Sequence, residues 1–132
     1  MAGTTVVSHF ALGALRRIQV DWVADAADGS VPNTVLPSIE GNIVALETNP
    51  GATAPTDNYD IALNDAEGVD KLAGAGQNRD TANTEQAGVV FASTSVPVPV
   101  DGEALTLAIS GNAVNSATGR VLIYYVPAGV AG

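Results

Sequence analysis

The residues able to do chemistry are few and scattered. One histidine, His9, lies in the run Val7-Ser8-His9-Phe10, and cysteine is absent. A lone imidazole can act as a general base, but only beside a nucleophile. No Gly-x-Ser-x-Gly turn, no phosphate-binding glycine loop and no second histidine accompanies it. His9 therefore reads as a strand residue with an ordinary hydrogen bond, and the chain is expected not to be an enzyme.

Carboxylates are the remaining stock. Asp65-Ala66-Glu67-Gly68-Val69-Asp70 gathers three acids around a glycine. Clustered oxygen donors suit Ca2+, so Asp65, Glu67 and Asp70 are the candidate metal ligands. Their spacing does not follow the EF-hand loop, and Asp25 and Asp28 before Gly29 fit it no better. Asp and Asn also close tight turns through their own backbone, which accounts for both clusters without a metal, and no cofactor is implied. A two-carboxylate glycosidase needs a sugar platform as well. The six aromatics are nearly all required by the core.

Contact chemistry has more to work with. Arg16-Arg17 is the one pair of adjacent positive charges, and Arg79 stands beside Asp80. These arginines suit an acidic partner or, more plainly, a solvated strand. Val96-Pro97-Val98-Pro99-Val100 is apolar throughout. Its prolines blunt strand addition and stiffen the backbone, which fits an interface segment as well as an edge strand packed on its own core. Val6, Val7 and Phe10 make the N-terminal segment a third contact candidate. Tyr124-Tyr125 sets one ring on each face of the last strand.

These residues sit in a chain of 132 residues, one domain's worth, with 5 Lys+Arg against 14 Asp+Glu and a net charge of −9. One lysine and four arginines cannot neutralise a run of phosphates, so nucleic-acid binding is not expected. An anionic membrane surface would repel the chain. No apolar run approaches the ~20 residues of a membrane-spanning helix. Without cysteine, disulfide scaffolds and thiol catalysis fall away. The first residues lack the basic start and long apolar stretch of a signal peptide, so synthesis in a cytoplasm is expected. Ala and Val supply 22 and 17 of the apolar residues, and charged residues are only 14% where about 25% is ordinary. Part of so bland a surface is expected to meet another protein.

The elements that must position these groups are strands. Residues 4–12, 15–23, 41–48, 58–63, 103–110 and 119–126 alternate with a period near two, as in Ile18, Val20 and Trp22 against Arg17, Gln19 and Asp21. Asp28-Gly29, Asn49-Pro50-Gly51 and Asn64 to Gly68 are turns. Residues 73–88 hold almost no large apolar side chain and read as a long loop. The expectation is an all-β, single-domain β-sandwich or small barrel of about seven to nine short, mainly antiparallel strands. Residues 1–12 form an N-terminal strand or contact arm, and residues 13–132 the sandwich.

The turn signatures Asn49 to Ile61, Asn64 to Asp70 and Asn78-Arg79-Asp80 resemble those of small β-rich structural proteins of tailed bacteriophages. The strands Ile18-Gln19-Val20-Asp21-Trp22 and Val121-Leu122-Ile123-Tyr124-Tyr125 fit the same resemblance. It implies a virion protein without enzymatic activity, most similar to a capsid decoration (cement) protein. Such a protein sits on the capsid surface as a homotrimer and holds major capsid protein subunits together. A tail or head–tail connector component is the alternative, and a carbohydrate-binding or Ca2+-dependent adhesion module the second.

Overall fold

The computed structural model describes residues 2–12, 14–90 and 97–127. Nine strands follow in chain order: β1 (Thr4–Leu12), β2 (Leu15–Val23), β3 (Thr34–Val35), β4 (Glu40–Pro50), β5 (Asp60–Asn64), β6 (Glu85–Gly88), β7 (Val98–Asp101), β8 (Thr106–Ser110) and β9 (Thr118–Pro127). All their pairings are antiparallel. The larger sheet runs β1-β2-β9-β4-β6, with β7 also on β4; the smaller runs β3-β8-β5. The two close as a β-sandwich over one hydrophobic core.

Alternation decides what each strand buries. Ile18, Val20 and Trp22 of β2 point inward and are almost completely buried. Register then carries each row across the sheet: Ile18, Ile123 and Leu46; Val20, Val121 and Thr48; Trp22, Gly119 and Pro50. Ile61 and Leu63 of β5 and Leu107 and Ile109 of β8 supply the facing layer. A methyl group on Gly119 would stand 2.5 Å from the Trp22 ring, so this strand position must be glycine for the indole to lie flat. On β4 the alternation fails: Ile43 and Leu46, three residues apart, both face the core. A bulge between Ile43 and Ala45 supplies the extra residue.

Two expectations change. The loop at residues 73–88 ends in a strand, because residues 85–88 pair with β4 from Ala45↔Gly88 to Thr48↔Glu85. Edge pairing is made by the backbone and needs no large apolar side chain, so hydropathy could not reveal it. In the proline-rich run, Val98 and Val100 are 3% and 5% exposed and belong to the core, while Pro99 is exposed and Pro97 half-buried. These prolines lie on the outer side of β4, where β6 and β7 follow one another. Val96 lies outside the described residues. The N-terminal segment Thr4–Leu12 pairs with β2 over its whole length.

Candidate functional site

The acidic run was the first candidate, and the structure spends it on turns. Asp65 Oδ1 accepts hydrogen bonds from the backbone N–H of Glu67 and of Val69, both at 2.9 Å. Lys71 Nζ stands 3.6 Å from Asp65 Oδ2. Asp70 Oδ1 accepts from Leu63 N–H at 2.9 Å and Leu72 N–H at 3.0 Å, and its Oδ2 from Gly74 N–H at 3.1 Å. Glu67 is exposed. Among the described residues, no three His, Cys, Asp or Glu side chains converge as a metal site. Asp65 and Asp70 thus each act as a backbone cap, and Glu67 takes no part in either.

Those caps brace a segment that lies along the free side of β5. Lys71 N–H donates to Leu63 C=O and Ile61 N–H to Gly76 C=O, each at 2.7 Å. Bridges Asn64↔Asp70 and Tyr59↔Arg79 extend the cover. Arg79 is fastened within the molecule: Nε donates to Gln77 C=O at 3.1 Å, and a terminal nitrogen stands 3.5 Å from Glu85.

His9 is likewise occupied. Its Nε2 lies 2.6 Å from Tyr125 Oη, and the two rings stack at 5.8 Å. Burial raises the Tyr125 phenol above its usual range, while Arg16, its cross-strand partner, draws it back. Arg16 and Arg17 therefore point to opposite faces, and the pair makes no single patch. Val7 faces inward and packs on the core, whereas Val6 and Phe10 point outward.

What remains is the outer face of the larger sheet. Register lays three rows across it: Phe10, Arg17, Tyr124, Ala45 and Gly88; Ser8, Gln19, Leu122, Glu47 and Gln86; Val6, Asp21, Arg120 and Asn49. The guanidinium carbon of Arg17 sits 4.3 Å over the Phe10 ring, a cation–π contact. Its Nε is buried and makes no hydrogen bond. Arg120 Nε reaches Asp21 Oδ1 at 2.5 Å. Gln19 donates to Asp21 at 3.0 Å and Gln86 to Glu47 at 2.9 Å. Burial works against the Asp21 carboxylate, but the Arg120 and Gln19 hydrogen bonds outweigh it and hold its pKa below the ordinary value.

The face thus carries one internal ion pair, Asp21 with Arg120, and mixes exposed apolar with exposed polar side chains. Val6 is 61% exposed and Phe10 37%. Beside Tyr124, the small residues Ala45 and Gly88 leave a shallow depression of about 250 Å3, walled by Glu47 and Gln86. Sequence reading found Val6, Phe10 and Arg17 but missed Ala45, Gly88 and Gln86. The outward turn of Tyr124 was legible from alternation. Which small residues lie beside it depends on strand order.

Comparison with protein-family models finds no match, and comparison with curated proteins finds none. Among solved structures, a chain described as "Cyanophage Pam1 capsid asymmetric unit" aligns over 96% of this chain and 87% of its own, at 23% identity and a TM-score of 0.40.

Proposed function

We propose that the chain is a structural virion protein of a tailed bacteriophage, seated on the outside of the capsid and stabilising joints between major capsid protein subunits. The observation that carries this reading is the outer face of the larger sheet. Asp21 and Arg120 pair across it, its exposed large apolar side chains include Val6, Phe10, Leu15 and Val23, Tyr124 lies half-buried among them, and among the described residues no three His, Cys, Asp or Glu side chains converge. Such a face gains by being covered and offers nothing to a reaction.

In this reading the work is burial rather than catalysis. Each copy adds a modest contact, and many copies on one shell, grouped as homotrimers, add up to a stabilised particle. Val6, Phe10 and Arg17 make the principal contact, with Pro97 and Pro99 on the edge of β7 as a secondary one. The N-terminal strand, residues 1–12, carries two of these residues and is the contact arm. The net charge of −9 keeps the protein off the packaged nucleic acid and off membranes, and suits a chain made in the host cytoplasm before it joins the virion.

The test is occupancy on purified capsids. Phe10→Ala with Tyr124→Ala is expected to lower occupancy at least tenfold while circular dichroism stays that of the parent chain. Unchanged occupancy overturns the assignment of the face. Imaging of the parent particle decides the class: density spread over the shell at high copy number supports it. A ring at one vertex overturns it in favour of a connector.

A further inference from the structure

Sheet edges are where β proteins associate, and most edges here are closed. β3 is two residues long and flanked by Pro32 and Pro37. β5 is covered by the segment that Asp65 and Asp70 brace. β6 has four residues, and β7 carries Pro99 with Pro97 just before it. Short strands, proline and a covering loop are the usual means of preventing edge-to-edge pairing.

β1 has none of them. It is nine residues long, contains no proline and no Asp, Glu, Lys or Arg, and has no strand beyond it among the described residues. Among the described side chains of β1, the exposed large apolar ones are Val6 and Phe10, four positions apart on one face. Ser8 lies midway between them. A two-fold axis through Ser8 would set Val6 against Phe10 of a second copy, and Phe10 against that copy's Val6. Aromatic and β-branched side chains directly opposite one another form a favourable cross-strand pair. Axes through Val7 or His9 break both pairs, since each then opposes Val6 or Phe10 with another residue type.

We propose that β1 is a self-pairing edge, which joins two copies antiparallel about Ser8 into one continuous sheet. Charge favours this occupant as well: despite the net charge of −9, the contact brings no carboxylate against its own copy. The contact is a property of the free chain and does not rest on the capsid reading; it operates whether or not each copy also belongs to a trimer. Two nine-residue strands bury less than the ~1,200 Å2 of a standard stable interface. A dissociation constant on the order of 0.1 mM is therefore expected.

The absence of cysteine makes a direct test possible. In the proposed register Ser8 opposes itself, with Cα atoms about 4.5–5.5 Å apart, inside the range a disulfide accepts. Thr4, on the same strand and face, lies about 26 Å from its own copy. Under mild oxidation at about 0.2 mM, Ser8→Cys is expected to form a disulfide dimer at least tenfold faster than Thr4→Cys. Sedimentation of the parent chain should show a reversible monomer–dimer equilibrium, which Val6→Lys with Phe10→Lys abolishes. Equal oxidation rates for the two cysteine variants overturn the register. A parent chain that remains monomeric to 1 mM, or assembles only as a trimer, overturns the self-pairing itself. Neither result bears on capsid occupancy, so failure here is distinguishable from failure of the functional reading.

Discussion

The sandwich finishes its two sheets in opposite ways. At the free side of β5, a segment rich in Asp folds back along the strand and takes up its backbone groups. At the free side of β1, nothing among the described residues does so. The difference follows from where the acids stand. Asp65, Asp70 and Asp80 each accept two or three backbone hydrogen bonds and hold a turn in place. β1 has no carboxylate at all. Acidic residues that looked like chemistry are therefore the means of closing an edge, and the charge-free strand is the edge left open.

The contrast breaks most readily at Asp70. Asp70→Ala removes the acceptor for Leu63, Leu72 and Gly74 together. Hydrogen bonds to a carboxylate contribute about 1.5–3 kcal/mol each and are not additive. A loss of about 3 kcal/mol is expected, or roughly 10 °C in the melting temperature of a domain this size. Hydrogen exchange should show where it acts: the amides of Leu63 and Leu72 exchange faster, and those of β1 are unchanged. Equal acceleration at both edges would mean that Asp70 does not act as a local cap.

Acid offers a gentler version of the same experiment. Backbone hydrogen bonds from Val69 and Glu67 hold the Asp65 carboxyl below its ordinary value, those from Ala82 and Asn83 hold Asp80, and the Ser30 amide and hydroxyl hold Asp28. A carboxylate with a depressed folded pKa stabilises fully above its unfolded value, 3.8 here, and loses that contribution as pH falls through the folded one. Glu103 runs the other way: desolvation and the nearby Asp65 and Asp101 raise it, so its protonation relieves repulsion. Thermal unfolding followed from pH 5 to pH 2 should show the melting temperature falling chiefly below pH 4. Amides at 65–83 should open before those of β1.

Smaller effects are expected where side chains only decorate an edge. Phe10→Ala loses a half-open ring and its contact with Arg17, and should cost within about 1 kcal/mol in chemical denaturation. Smallest is Tyr59→Phe. Burial pushes the Tyr59 phenol up to about 12. Its hydroxyl makes no hydrogen bond. The cover over β5 passes through the Tyr59 backbone, whose C=O accepts from Arg79 N–H at 2.8 Å. Removing the hydroxyl should therefore leave stability unchanged, or raise it by up to about 1 kcal/mol.

Much of the fold was legible in the residues. Ile18, Val20 and Trp22, Ile61 and Leu63, and Leu105, Leu107 and Ile109 alternate because a half-buried strand must, and the structure buries all of them. β6 was not legible, because Glu85-Gln86-Ala87-Gly88 contributes a backbone ladder and no core. The bulge on β4 hid the inward turn of Leu46. At the candidate face, Val6, Phe10 and Arg17 stood out, whereas the depression formed by Ala45, Gly88 and Tyr124 requires three strands far apart in sequence to lie side by side.

Local rules therefore account for the class of this protein: period-two alternation makes it all-β, and Asp and Asn with glycine make its turns. Tertiary structure alone decided how those parts are used. It sent Arg16 inward to Tyr125 and Arg17 outward to Phe10, and put Val98 and Val100 in the core. It laid the acidic segment along one edge and left β1 open. The physical reason is that a period of two defines a strand's two faces but not its neighbours. Strand order and register are set by contacts between distant segments, and only when they form does a face become core, cover or interface.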